Sequence, residues 1–189
     1  MARKNKLIKY EMTSAYANKI IKFIENQISS MLQKENTSST YVAALDEEPV
    51  IPDYDFEDVS KKYTMMCNQI MAIKHALNKS NTIENITVKG ESYSVDMILV
   101  KMAQLNIRKR ILEGMRSELP KKRISQRAYG AKNGAPEYQY TNYNPSEVEE
   151  EYCAIVNELV ELQIELDKHN QTEVFEVYFD EDNIPFKLN

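Results

Sequence analysis

The clearest chemistry in the sequence is a run of cations and tyrosines. Lys121, Lys122, Arg123, Arg127 and Lys132 stand among Tyr129, Tyr138, Tyr140 and Tyr143. Guanidinium and ammonium groups meet phosphate or carboxylate. Tyrosine rings stack on flat rings and donate through their hydroxyls. Arg123, Arg127, Tyr129, Tyr138 and Tyr140 therefore form a candidate receptor for a small, anionic, nucleotide-like ligand. Single-stranded nucleic acid offers the same groups, but a net charge of −5 disfavours it as a partner. The same composition also suits a solvated loop, or a subunit contact rich in tyrosine.

Two asparagine-bearing segments form a second candidate. Leu77-Asn78-Lys79-Ser80-Asn81 and Leu166-Asp167-Lys168-His169-Asn170 each follow a heptad-spaced apolar run. Asn81 and Asn170 read as helix C-caps, since asparagine tolerates the left-handed conformation that closes a helix. Alternatively, they and Asn78 are ligand-binding amides.

Other reactive groups are placed less suggestively. Cys67 and Cys153 fall beside Met66 and Tyr152 in amphipathic segments and read as small hydrophobes. The acidic stretch Asp53-Tyr54-Asp55-Phe56-Glu57 lacks the glycine and the spaced glutamate of a calcium loop. Glu149, Glu150 and Glu151 read as a solvated face near a helix start, and Arg108 as a side chain reaching for water. No Cys-x-x-Cys, His-Glu-x-x-His, Gly-x-Ser-x-Gly or phosphate-loop motif occurs. The reading assigns no catalytic residue, metal or cofactor, and expects a non-enzyme.

Four helical segments must position these groups. In the second, Val59, Tyr63, Met66, Ile70, Ile73 and Leu77 alternate spacings of four and three. In the fourth, Val148, Tyr152, Ile155, Leu159, Leu162 and Leu166 do the same. The first helix is expected over about 10–35, with Ile20, Ile21, Ile24, Ile28, Met31 and Leu32 inward. The third is expected from Ser94 to just before Pro120, with Ile98, Met102, Leu105, Leu112 and Met115 inward.

The second and fourth helices agree beyond their seams. At a constant offset of 89 residues, Tyr54 meets Tyr143, Val59 meets Val148, Leu77 meets Leu166, and Asn81 meets Asn170. Asp55-Phe56-Glu57-Asp58 and Asn144-Pro145-Ser146-Glu147 both resemble capping boxes. This points to a duplicated helical hairpin, with halves of about 10–81 and 94–170. Ile86–Val95 reads as a β-hairpin around Lys89-Gly90, and 174–179 alternates like a strand. The predicted fold is a single mainly α domain over 1–189: a four-helix bundle of two pseudo-repeated hairpins, with the hairpin and strand forming a small antiparallel sheet at one end. Long connectors, about 36–55 and 120–144, are expected to share the other end; connectors of that length are usually functional.

Composition agrees with this class. The chain has 189 residues, 42% hydrophobic and 28% charged, with 4 glycines and 6 prolines. Few turn residues argue against a β-sandwich. Two cysteines argue against a disulfide scaffold, and the longest apolar run, Met97-Ile98-Leu99-Val100, is too short to span a bilayer. The expectation is a cytoplasmic protein without a signal peptide or membrane partner.

The order of features resembles the septicolysin-like family of small helical bacterial and phage proteins. The resemblance is carried by Leu77-Asn78-Lys79-Ser80-Asn81-Thr82, the turn at Gly90, the helix from Ser94 to Leu119, and the second heptad helix closing at Asn170. It covers about residues 20–175. Leu77 and Ser80 stand where that family has isoleucine and threonine, and Met102-Ala103-Gln104-Leu105 where it has Ala-x-Arg-Asp. The resemblance implies a helical, oligomeric protein with no established reaction.

Together these readings lead to a non-catalytic, self-associating protein that binds or sequesters a nucleotide-like anion, of the kind a phage or mobile element could use as a counter-defence sponge. The alternative is a coiled-coil assembly protein with no small ligand.

Overall fold

The computed structural model describes residues 7–46, 48–124 and 137–181. The chain is mainly helical, with small antiparallel β-ladders. It divides into two compact units. The first comprises the chain up to Glu84 together with Asp167 onward; the second is Asn85–Leu166.

The first unit holds β1 (Leu7–Thr13), α1 (Ser14–Ser38), α2 (Phe56–Ile83) and β6 (Val174–Asp180). β1 and β6 pair antiparallel from Leu7↔Asp180 to Thr13↔Val174. Phe175, Val177 and Phe179 alternate inward along β6 and join Met12, Ala17, Ile20, Ile21, Ile24 and Ile73 in one core. Tyr10 meets Phe179 edge-on, with ring centroids 5.6 Å apart. β1 occupies residues that open the expected first helix. Their alternation serves a ladder, and Thr13 then caps α1 by accepting from the Tyr16 N–H at 3.2 Å. Asp55 caps α2, accepting from the Glu57 and Asp58 amides at 2.9 and 3.1 Å. Of the expected seam residues, Leu32 and Tyr63 are largely exposed.

The second unit holds β2 (Asn85–Val88), β3 (Glu91–Ser94), α3 (Val95–Ser117), β4 (Lys121–Arg123), β5 (Tyr138–Tyr140) and most of α4 (Pro145–Thr172), whose last turn belongs to the first unit. β2 and β3 form the expected hairpin. Lys89 and Gly90, with φ of 52° and 84°, make its turn. Ile86, Val88, Val95 and Ile98 pack with Leu162 and Leu166. Farther along the helices, Leu112, Val148 and Ile155 form another cluster. Asn144 caps α4 by accepting from the Ser146 N–H at 3.0 Å and donating to Glu147 at 3.1 Å.

Three further features depart from expectation. Strand 174–180 pairs with β1 and not with the 85–94 hairpin, so among the described residues the β-structure is three separate two-stranded ladders and not one small sheet. The glutamates at the start of α4 are not merely solvated. Arg108 donates to both oxygens of Glu151 at 2.7 Å, and Arg116 forks onto Glu149 while its guanidinium lies 3.9 Å from the Tyr152 ring centroid. With Lys101–Glu158 at 2.7 Å, these pairs stitch α3 to α4. Finally, Asn81 and Asn170 are not left-handed caps. Both helices run two residues further, to Ile83 and Thr172. Glu84 then turns extended (φ −78°, ψ 138°), so each chain leaves its helix straight into a strand.

The 89-residue offset holds from α2 and α4 into the strands that follow them. α2 and α4 are both 28 residues long, and each is followed by a strand whose second and fourth residues are buried: Ile86 and Val88, Phe175 and Val177.

Candidate functional site

The long connector between α3 and α4 carries the predicted receptor, and its two described ends pair as a ribbon. β4 and β5 pair antiparallel with Lys121 opposite Tyr140, Lys122 opposite Gln139 and Arg123 opposite Tyr138. The pairing continues beyond the strands: the Ile124 N–H donates to the Glu137 carbonyl at 2.9 Å, and the Thr141 N–H to the Pro120 carbonyl at 3.3 Å. Strand alternation puts Lys121, Arg123, Tyr138 and Tyr140 on one face, and Lys122 and Gln139 on the other. The Lys121 ammonium lies 4.2 Å from the Tyr138 ring centroid and 5.4 Å from that of Tyr140. All four residues are exposed. At the base, the Tyr143 hydroxyl donates to the Met115 carbonyl at 2.7 Å and ties the ribbon to the end of α3.

This face has two cations and two aromatic rings within one ladder. It can offer charge to an oxyanion and a flat surface to a ring. Lysine already sits over the rings, so an aromatic ligand would exchange with it while the ammonium stays within reach of the ligand's charge.

The structure brings Arg123, Tyr138 and Tyr140 together. Arg127 and Tyr129 lie outside the described residues. Asn78 and Asn81 sit in the last turns of α2, and Asn170 in the last turn of α4, all in the first unit; Asn78 is exposed and the other two half-buried. No hydrogen bond joins these three amides among the described residues.

Cys153 is not set up as a nucleophile. Its thiol contacts Glu149 at 3.5 Å, and the carboxylate pushes its pKa up, opposite to what thiolate chemistry needs. The Tyr63 hydroxyl is held above its usual range by its interaction with Cys67. Among the described residues no three potential metal ligands cluster, and no helix is long and apolar enough to cross a membrane.

Sequence reading missed two features of the first unit. His169 is buried, with Nε2 3.2 Å from the Glu84 carboxylate, and so ties the last turn of α4 to the end of α2. A groove of about 650 Å³ lies between α2 and β6, with His75 and Lys79 on its helix side. The signal for the groove was present in Ala72 and Ala76, two small residues where the matching helix has Glu161 and Glu165.

No protein-family model matches the chain, and no curated protein does. Among solved structures, the chain is similar to a functionally unknown conserved protein from Corynebacterium diphtheriae, with a TM-score of 0.58 and 11% identity over 88% of this chain and 99% of that one. At that identity the likeness shows a shared fold alone.

Proposed function

We propose that the protein is a non-catalytic binding protein that holds a small anionic, nucleotide-like ligand on the exposed face of the β4–β5 ribbon. The observation that supports this reading is the Lys121 ammonium lodged over Tyr138 and Tyr140, with Arg123 on the same face. A ring stacked on tyrosine and a phosphate forked by arginine would use both groups at once. Such a protein acts by sequestration. Calorimetry against cyclic nucleotides and ADP-ribose derivatives tests it: binding heat that disappears in Arg123→Ala is expected, and no heat with any member of the panel ends the idea.

A second reading, self-association without a small ligand, rests on a different observation. Met97, Val100, Ile107 and Ile111 are all more than half exposed and fall along one side of α3. Under this reading light scattering finds a stable oligomer, which Ile107→Asp with Ile111→Asp dissociates. The ribbon tyrosines would then serve the contact, so Tyr138→Ala with Tyr140→Ala would also weaken it.

A further inference from the structure

The groove beside β6 runs along a strand edge. Its lining includes Phe175 and Phe179 from the inward face of β6 and Glu176 and Tyr178 from the outward face. An edge shows both, and at the Asp180 end Leu7 of β1 also reaches the lining. β1 occupies the other edge, and no ladder pairs this one among the described residues. A second cavity of about 550 Å³ shares Ala72, His75 and Tyr178 with the first and carries the groove past Met71 to Asp180. The opposite wall is therefore α2, and the floor beside it is alanine.

The second unit contains the same arrangement, blocked. Shifting by 89 residues turns Ala72 into Glu161, Ala76 into Glu165 and Tyr178 into Lys89. There Lys89 and Glu161 are joined at 2.6 Å, and the cavity between β2 and α4 is about 230 Å³. The same architecture is thus barred by an ion pair in one copy and opened by two alanines in the other.

We propose that the α2–β6 groove receives an extended peptide, which pairs antiparallel with the open edge of β6. A row of backbone donors and acceptors beside a helix is matched by another backbone, with alternate side chains filling the groove. For an antiparallel strand, charge sets the two ends. Glu84 is held by His169, and Glu176 by Lys9 at 2.5 Å. The charges left over are Lys79 at the Val174 end and Asp180 at the other, neither in an ion pair among the described residues. An antiparallel strand therefore needs a base near its N-terminus, to meet Asp180, and an acid near its C-terminus, to meet Lys79. A second copy of β6 fits poorly, because Glu173 precedes it and Glu181 follows it, acids at both ends.

A fluorescent seven-residue peptide with blocked ends tests this, with lysine first, glutamate last and valine alternating with threonine between. Anisotropy is expected to show saturable binding, with slowed exchange of the β6 amides. A peptide with glutamate first and lysine last is expected to bind several-fold more weakly, and Lys79→Glu with Asp180→Lys to reverse that order. Ala72→Glu with Tyr178→Lys, which copies the second unit's ion pair, is expected to abolish binding. Should that variant fail to fold, the exposed charge swap still decides. No binding of either peptide, an order unmoved by the swap, or β6 amides protected by self-association without peptide would each overturn the proposal.

Discussion

Ile73 and Leu162 stand 89 residues apart and hold the same position, each fully buried in the C-terminal half of a 28-residue helix and each packed under the strand of its own unit. Truncating either leaves a cavity that rigid neighbours fill only in part. Ile73→Ala and Leu162→Ala are each expected to cost about 2–5 kcal/mol. Denaturant melts measure the loss, and hydrogen exchange should place it mainly in the unit that holds the altered residue.

The α3–α4 stitching predicts a pH effect. Arg108 holds the Glu151 carboxyl below its usual range, and Lys9, with Tyr178, does the same to Glu176. A carboxyl whose folded pKa is depressed stabilises the fold above its unfolded pKa and loses that contribution as pH falls through the folded one. Both groups are exposed, so the effect is modest and screened by salt. The melting temperature should fall between about pH 5 and pH 3, and fall less in Glu151→Gln and Glu176→Gln.

Among the described residues, Gly90 is the one place where a missing side chain governs the backbone. Its φ of 84° follows Lys89 at 52°, the pattern of a tight hairpin turn. No atom would obstruct an added Cβ, so the cost of Gly90→Ala is conformational. About 1 kcal/mol is expected, read from thermal melts, with the β2–β3 amides exchanging faster.

Much of the architecture was legible in the sequence because it rests on periodicity. The seams of α2 and α4, the exposed Tyr63 apart, their caps at Asp55 and Asn144, and the Lys89-Gly90 turn are local signals, and they are found where the spacing put them. Long-range pairing was not legible. Nothing local in Leu7–Thr13 says that its partner lies at Val174–Asp180, and a short alternating stretch before a helix is easily read as part of it. Asn81 and Asn170 misled for a related reason: asparagine is a frequent cap, but here each helix continues two residues past it and a strand follows. At the candidate site, residue type pointed to Arg123, Tyr138 and Tyr140. The ladder that aligns them depends on the register of two strands separated by a long connector, which composition does not encode.

Backbone resonances of the labelled protein during titration with ADP-ribose test the ribbon most directly. Binding on the proposed face shifts the amides of Lys121–Arg123 and Tyr138–Tyr140 together and saturably, and Tyr138→Ala removes those shifts. Saturable shifts confined to other residues, or a spectrum unchanged by this ligand and by the cyclic nucleotides, would contradict it.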